Sequence, residues 1–511
     1  MHVCMIVHNN GTRDGRVMRE AHALRATGHA VTVVGIPESG ISAPAETLPD
    51  GVQVSRVRWL EPARRRRLRS AVLRSIPFGA AILALGYGLY RVAHWLSGLA
   101  LAGRPSVLIG GVLVLALIAV IVALVGRGFL NKRASRNDAT RRQVILGDAP
   151  PSSGFPAIRS RIPDWVPDWL LEFAVEPLDW FGAGTGKFSL YRYRSEEIAA
   201  AAIRLKPDVV HCHDCAALPT GWLVKKALNI PLVYDAHEIY EAVAARRFGA
   251  TDYFARIHAR YLPQVDAFVA VNDSAATYYR YAYPAAPRAV VIRNATNYVA
   301  SGRYDGRLHR AAGLPEHEKI LLYQGGFSKD RGLQILVRAA PLLPEGWTLV
   351  MMGWGPLADE LQHLADAGRA NATSRRKVIF LSAVPPAELL SWTQGAAAGI
   401  IPYEDKMLNH WIATPNKLWE FPNAGVPMIV QPFPEMRGIV ETYGCGWVLP
   451  ELSPQAIADL VSSLTEEKVS AAKEGCVRFS QADNWATTYE PRLLDLYRRI
   501  EMMTGSTRAA A

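Results

Sequence analysis

The stretch KPDVVHCHD at residues 206–214 decides the fold, because a short apolar run there ends in a cluster of polar side chains. Two comparable stretches follow it, NIPLVYDAHE at 229–238 and VDAFVAVND at 265–273. Apolar runs of this length that alternate with helical stretches are typical of parallel strands in an α/β sheet covered on both faces. Such open sheets bind ligands at the carboxyl ends of their strands.

The same alternation begins at the N-terminus. MHVCMIV (1–7) and TGHAVTVVG (27–35) enclose a helical pattern and predict a βαβ unit, and a third strand fits GVQVSRV (51–57). A second series of strands is predicted at 318–326, 347–355, 377–384, 397–403, 425–432 and 444–450. We predict an α/β protein of two Rossmann-like domains that join near VIRNATNY (291–298). The N-terminal domain then covers 1–60 and 191–297, the C-terminal domain covers 298–485, and a crossover helix and tail cover 486–511.

An insertion over residues 61–145 is predicted to be a membrane hairpin with helices at about 76–100 and 106–126. Residues 106–126 contain no charged side chain, and about 20 apolar helical residues cross a bilayer core. The strands before and after the insertion share one sheet, so the number of crossings is expected to be even. Arg91 and His94 leave open a first helix that lies in the interface. A buried hydrophobic hairpin in a soluble domain is the other alternative.

The positive charge supports a membrane location. Residues 62–142 hold fourteen Lys or Arg and one acid, Asp138, so this window accounts for the net charge of +11. A basic face for nucleic acid is therefore not expected elsewhere. Basic residues that flank apolar segments are typical of the cytosolic side of a membrane. We predict the cytoplasmic membrane, with both catalytic domains on its cytosolic face.

The linker over 146–190 contains two further features. Trp and Phe side chains are dense at 162–181, which suits either a membrane interface or an aromatic cluster on the domain's flank. GAGTGKF (182–188) resembles a phosphate loop, but Phe181 occupies the position of the required first glycine and Phe188 that of the required Ser or Thr. We interpret GAGTGKF as a linker.

No metal or other cofactor is expected. In HCHDC (211–215), successive side chains of a strand point to opposite faces, so only a subset could reach one ion. An Asp-x-Asp at a strand end is also missing from the sequence. The five cysteines show no pairing pattern and indicate reduced thiols.

Candidate site residues lie at the predicted carboxyl ends of the strands. The C-terminal domain offers GGFSKDRG (325–332), GWG (353–355) and PNKLWEF (415–421). Glycines that admit a ligand to the backbone, with cations beside a helix start, favour a diphosphate. The predicted catalytic residues are His237, Arg331 and Glu420. The predicted donor-binding residues are Gly325, Gly326, Lys329, Gly353, Gly355, Asn416 and Lys417. In the N-terminal domain, the candidates on the acceptor and sugar side are Gly11, His213 and Asp235.

These segments, together with DGRVMREAHALRATGHAVTVVG, PNKLWEFPNAGVPMIV and NWATTYEPRLLDLYRRI, resemble glycosyltransferase family 4 enzymes of the GT-B fold, in order and spacing. The resemblance implies two facing Rossmann domains and transfer of a sugar from a nucleotide diphosphate donor with retention of configuration. It implies that His237 reaches the donor sugar and phosphate, Arg331 pairs with the diphosphate, and Glu420 binds the ribose. It also implies that the last helix packs on the first domain.

The sequence departs from the family pattern at two positions. The first glutamate of the family's Glu-seven-Glu element falls on Ile412, and a residue that is often basic is here Gly326. Sugar hydroxyls are then expected to contact TPNK (414–417), especially Asn416 and backbone amides.

The sequence therefore predicts a membrane-anchored hexosyltransferase that acts on a lipid-linked acceptor in surface polysaccharide or glycolipid synthesis. Two alternatives stay open at this point. One is a nucleotide-sugar epimerase of the same fold, and the other is a membrane scaffold with a degenerate transferase body.

Overall fold

The structure is a computed structural model that describes residues 1–37, 43–57, 139–147, 188–243, 250–299, 302–370 and 378–510. The chain divides into two compact units, residues 1–57 with 145–511, and residues 58–144. The second unit is described only over residues 139–144, which are helical.

The predicted hairpin helices at 76–100 and 106–126 lie outside the described residues, as do the aromatic stretch 162–181 and residues 182–187 of the predicted linker. Across the ranges given above, the structure contains no helix that combines the length and the apolar character needed to traverse a bilayer.

The first sheet has the strand order β3-β4-β2-β1-β5-β6-β7-β8. Its strands are β1 (His2–Ile6), β2 (Ala30–Gly35), β3 (Ala45–Thr47), β4 (Gln53–Arg56), β5 (Val209–His213), β6 (Leu232–Ala236), β7 (Ala267–Ala270) and β8 (Ala289–Val291). All neighbours are parallel except β3, which pairs antiparallel with β4. Only β3 and β8 were not predicted, since β3 (AET) has no apolar run and β8 (AVV) runs into the predicted junction of the domains at 291–298.

The second sheet has the order β11-β10-β9-β12-β13-β14, and all its neighbours are parallel. Its strands are β9 (Lys319–Gly326), β10 (Trp347–Trp354), β11 (Val378–Leu381), β12 (Ala398–Ile401), β13 (Met428–Val430) and β14 (Gly446–Val448). Alternate residues of β9 join different apolar clusters, Ile320 and Leu322 one and Leu321 and Tyr323 the other. Both faces are therefore buried, which explains the unbroken apolar runs.

Helices cover both sheets, so the structure confirms the prediction of two α/β domains with parallel sheets. The first lobe, defined as the described residues of 1–299 in this unit, has helices Gly15–Ala26, Phe188–Arg204, Leu218–Leu228, Tyr240–Val243, Ala250–Tyr261 and Asp273–Ala282. The second lobe, residues 302–484 as described, has helices Arg307–Ala312, Leu333–Ala339, Ala358–Ala370, Leu389–Thr393, Leu408–Trp411, Lys417–Asn423, Pro434–Tyr443, Pro454–Ser462 and Glu466–Ala482.

A π-helical turn at Trp485–Tyr489 leads into the final helix, Glu490–Ala510. This helix lies on the first lobe, where the Tyr497 hydroxyl is 2.9 Å from His211 Nδ1 and Arg492 donates to the Val291 carbonyl at 3.0 Å. The chain thus returns from the second lobe to the first, as the family resemblance implies.

Hydrogen bonds connect the two lobes beside their facing strand ends. Asn272 Nδ2 donates to the Ile412 carbonyl at 2.7 Å, and Ser274 donates to Glu435 through its backbone N–H and its hydroxyl at 2.9 and 2.7 Å. Arg293 also donates to Glu435 at 3.0 Å. The carboxyl ends of the two sheets therefore border one cleft.

Candidate active site

The cleft has a volume of about 610 Å³ and is lined from both lobes. Seven of the predicted site residues line it: His237, Gly325, Arg331, Gly353, Asn416, Lys417 and Glu420. The other six do not, namely Gly11, His213, Asp235, Gly326, Lys329 and Gly355. His213 and Asp235 nevertheless contact His237 from behind. The roles of all thirteen residues stay predictions.

Glycines shape the second-lobe wall of the cleft. Gly325 has φ of +120°, and a Cβ atom there would lie 2.8 Å from Lys417 Nζ. A Cβ atom on Gly353 would collide with the Gly325 carbonyl. Both positions therefore require glycine, which lets the two strand ends approach each other and lets Lys417 reach the cleft.

Arg331 is held in place by neutral partners. Its Nε donates to Ser328 Oγ at 2.9 Å, its Nη1 contacts the Tyr403 hydroxyl, and its Cζ lies 4.6 Å from the centroid of the Tyr403 ring. No carboxylate lies within 4.0 Å of the guanidinium among the described residues. The guanidinium is thus oriented without being neutralised, which leaves its charge available to an anion.

Lys417 is the second cation of the cleft. It begins the helix Lys417–Asn423 and is 8% exposed, with Nζ 5.5 Å from the centroid of the Tyr323 ring. Burial lowers its pKa to about 8; the charge of Glu420 opposes this shift, and the charge of Arg331 adds to it. Within the described ranges, its ammonium forms no ion pair. Two close, unpaired cations in one cleft are unfavourable until an anion binds.

Glu420 lies one turn along the same helix. Its Oε2 accepts a hydrogen bond from Gln324 Nε2 at 2.9 Å, and Gln324 Oε1 accepts one from Thr393 at 2.8 Å. Gln324 therefore positions this carboxylate at the cleft wall. The hydrogen bond from Gln324 uses Oε2 of Glu420, so the other carboxylate oxygen is available to a ligand hydroxyl.

The opposite end of the second-lobe wall is apolar. Trp354 ends β10 with 70% of its surface exposed, and Ala383, Val384 and Leu389 line the same cleft. An exposed indole face beside aliphatic side chains suits a flat aromatic ligand.

On the first lobe, His237 contacts two carboxylates. Its Nδ1 is 3.1 Å from Asp214 Oδ1 and its Nε2 is 3.0 Å from Asp235 Oδ2. Both ring nitrogens face acceptors, so both carry a proton and the ring is an imidazolium. Burial alone would lower the pKa of His237, but Asp214 and Asp235 raise it to about 9.

Asp214 follows β5 with a φ of +71°, which is uncommon outside glycine. Its side chain is 32% exposed and also accepts from the Tyr240 hydroxyl. A residue held in such a conformation beside a cleft is typical of functional sites.

Behind His237, Arg16 neutralises Asp235. Asp14 caps the helix Gly15–Ala26 and places Arg16 in its first turn. Arg16 Nε and Nη2 donate to the two Asp235 oxygens at 2.7 and 2.8 Å. Burial would raise the pKa of Asp235, but Arg16 and His237 hold it well below its usual value.

One buried group of potential metal ligands lies next to this pair. Glu20, His211, His213 and Asp235 each offer an atom, and these atoms lie within 4.8 Å of one another. Arg16 already occupies both Asp235 oxygens and lies 3.4 Å from Glu20, so a fixed positive charge stands where an ion would bind. Burial, together with the Asp235 charge, raises the pKa of Glu20 to about 7. These features do not fit a cation site, and the expected lack of a metal stays a prediction.

The remaining predicted residues have other positions. Gly11 has φ of +78° and packs against Val33, which makes it a turn residue of the first loop. Gly355 packs against the Phe327 backbone, and Gly326 continues β9 beyond the cleft lining. Lys329 is exposed and outside the lining.

Several residues of the site have no role predicted from the sequence. Tyr403 and Gln324 were part of predicted strands, where their positions at strand ends were the available signal. Arg16 is a polar residue on the buried face of an otherwise apolar helical pattern, which was the signal for a buried ion pair.

Comparison with known proteins places both lobes among glycosyltransferase domains. Residues 152–298 match the family described as Glycosyltransferase Family 4, and residues 318–467 match Glycosyl transferases group 1. These matches support a transferase enzyme with a GT-B-like fold.

Curated relatives agree with that class. The D-inositol 3-phosphate glycosyltransferase of Corynebacterium diphtheriae is 30% identical over 214 residues, which are 39% of this chain and 50% of that protein. The protein of the same name from Corynebacterium glutamicum is 23% identical over 55% of this chain and 70% of its own length. The chain thus spans half the length of the first relative and more of the second.

Solved structures show the same fold. Sucrose-phosphate synthase from Thermosynechococcus elongatus superposes with a TM-score of 0.58 at 13% identity, over 99% of this chain and all of that chain. The α,α-trehalose-phosphate synthase (UDP-forming) of Burkholderia vietnamiensis gives 0.58 at 10% identity, over 98% of this chain and all of that chain. At such identities the likeness concerns the fold alone.

Proposed function

We propose that the protein transfers a sugar from a nucleotide diphosphate donor, bound in the cleft, to an acceptor. The observation that carries the proposal is the pair Arg331 and Lys417, two oriented cations that line the cleft without a carboxylate partner among the described residues. A diphosphate supplies the missing negative charge. Glu420 then faces the ribose, and the apolar end at Trp354 receives the base.

The chemistry follows from where charge develops. The bond between the anomeric carbon and the diphosphate breaks, the acceptor oxygen bonds to that carbon, and the nucleoside diphosphate leaves. Negative charge grows on the leaving group, and Arg331 and Lys417 stabilise it without reorganising. We propose that this stabilisation operates without a metal.

His237 contributes a fixed positive charge on the opposite wall. Both ring nitrogens of His237 already donate to carboxylates, one to Asp214 and one to Asp235. A direct hydrogen bond from His237 to the nucleotide sugar therefore requires one of these two contacts to break. Asp214, being partly exposed, is the contact that a donor phosphate would replace. We propose retention of anomeric configuration, with the leaving phosphate taking the acceptor's proton, and NMR of the product's anomeric centre tests this.

The acceptor is proposed to be lipid-linked and the protein to be held at the cytosolic face of the cytoplasmic membrane. Support comes from the sequence of the insertion, with its uncharged stretch 106–126 and its basic flanks. Tethering would raise the concentration of the enzyme near its acceptor head groups.

The test is a donor panel. Membranes that contain the full chain are incubated with radiolabelled UDP-, GDP- and ADP-sugars, and the organic extract is counted. We expect label with one nucleotide class and none with an Arg331→Ala variant. A parallel reaction in solution uses D-inositol 3-phosphate as the acceptor, because the curated relatives are named for that compound. Label in the soluble product only would contradict the lipid acceptor, and epimerised donor without transfer would favour the epimerase.

A further inference from the structure

We propose that Glu238 accepts a hydrogen bond from a hydroxyl of the transferred sugar and thereby determines which sugar the donor carries. This inference rests on the proposed function and adds a residue of the first lobe to it. Glu238 follows β6, lies next to His237, and lines the cleft opposite Arg331.

The hydrogen bond that Glu238 accepts from the described residues is to its backbone and not to its carboxylate. Its backbone carbonyl accepts from the Tyr279 hydroxyl at 2.8 Å, but no described residue donates to its side chain or forms an ion pair with it. Glu420, the other acid that lines the cleft as described, already accepts from Gln324. Glu238 is partly buried, and a carboxylate without protein donors in a cleft keeps its acceptor capacity for the hydroxyls of a ligand.

The electrostatics agree with this geometry. Burial and the Asp214 charge raise the pKa of Glu238 to about 7, while His237 and Arg331 oppose the rise. A carboxyl group that accepted several protein N–H bonds would show the opposite shift. The charged and titratable groups around it are Asp214, His237, Arg331, Tyr240 and Tyr279.

The position of Glu238 in the cleft indicates that it meets the transferred sugar of the donor rather than the base or the ribose. Glu238 lines the cleft from the first lobe and Arg331 lines it from the second, and the Arg331 charge opposes the rise that burial causes in the pKa of Glu238. A diphosphate on Arg331 carries the sugar on its terminal phosphate, which places the sugar next to that cation. On the second lobe, Ile412 is 1% exposed and offers only aliphatic surface and its backbone. Glu238 is then the carboxylate that meets the sugar hydroxyls.

The experiment is a double-mutant cycle between protein and substrate. The nucleotide sugar that the donor panel selects is compared with its single-deoxy analogues. Values of kcat/KM are measured for wild type and for Glu238→Ala on membranes containing the full chain. We expect wild type to lose about 10- to 100-fold on one analogue, the cost of a hydrogen bond to a charged group. Glu238→Ala should lose a similar factor on the full sugar and be indifferent to that one deoxy position.

Two controls make the outcome decisive. Glu474→Ala, at an exposed helix position whose side chain is 75% exposed, should keep the wild-type pattern, and UDP binding by Glu238→Ala should match wild type if the cleft is intact. If wild type transfers sugar but every deoxy penalty is the same in Glu238→Ala, the assignment is overturned while the proposed function stands. If wild type neither binds UDP, GDP nor ADP nor transfers sugar, the proposed function and this assignment fail together.

Discussion

The two lobes that border the cleft differ in whether their charged side chains have ion-pair partners. On the first lobe, Arg16, Asp235, His237 and Asp214 form a continuous series of paired charges at 2.7 to 3.1 Å. On the second lobe, Arg331 and Lys417 contact neutral partners and form no ion pair within the described residues; Arg331 repels Lys417, and only the more distant Glu420 attracts it. The first arrangement is complete without a ligand, whereas the second is not.

This difference separates stability from binding. Removing one member of a buried ion pair leaves the other uncompensated and lowers the free energy of unfolding. Removing one of two repelling cations relieves strain in the free protein and weakens only the complex. The same type of change, loss of one charge, is therefore expected to act on different measurements in the two lobes.

The largest expected effect on stability is that of Asp235→Asn. The substitution removes the bidentate partner of buried Arg16, leaving Glu20 at 3.4 Å as its nearest carboxylate, and also removes one of the two carboxylates of His237. It should lower the free energy of unfolding by about 3 to 5 kcal/mol. Urea unfolding followed by tryptophan fluorescence measures it. Asp214→Asn, at a partly exposed site, should cost about 1 kcal/mol or less. Equal losses of unfolding free energy in the two variants would show that the buried Asp235 contributes no more to stability than the partly exposed Asp214.

Arg331→Ala is the corresponding change on the second lobe. We expect the rate of sugar transfer to fall about 10²- to 10³-fold, since a preorganised charge at the leaving group is lost. Unfolding by urea should stay within about 1 kcal/mol of wild type. Arg331→Lys should recover part of the rate, because it keeps the charge but not the fork of donors. A normal rate in Arg331→Ala would refute the assignment of this residue.

The pH dependence of nucleotide binding sharpens the comparison. Burial lowers the pKa of free Lys417 to about 8, and a bound diphosphate would raise it. UDP affinity should therefore be full below pH 8 and fall by up to about tenfold per pH unit above it. Calorimetry between pH 7 and 9.5 measures this change, and His237, whose pKa is about 9, also loses its charge within this range. In Lys417→Met, affinity should be lower at pH 7 and the fall that begins near pH 8 should disappear, which leaves only the later fall due to His237. A wild-type affinity that stays constant up to pH 9.5 would contradict a charged Lys417 at the phosphates.

The sequence predicts the fold of the described residues well, because continuous apolar runs identify strands buried on both faces. The strands β3 and β8 were missed, because β3 (AET) has no apolar run and β8 (AVV) lies at the predicted junction of the two domains. For the site, strand-end motifs identified Arg331, Lys417 and Glu420 but not the residues that orient them. Arg16 on the buried face of a helix signals a buried ion pair, but its partner Asp235, more than 200 positions away, has no local signal.

The smallest expected effect concerns Lys329, which sequence proximity to Arg331 made a donor-binding candidate. The structure leaves it exposed and outside the cleft lining, where salt screens its charge. Lys329→Ala should change the Kd for UDP by less than about threefold at 0.15 M salt, because exposed charges contribute little. Lys417→Ala, measured alongside it, should weaken binding at least tenfold. Equal losses in the two variants would mean that the loop from Phe327 to Gly332 closes on the nucleotide. Without nucleotide, the second-lobe wall of the cleft would then lack Lys329. The two lobes would differ in conformational change on binding as well as in charge pairing.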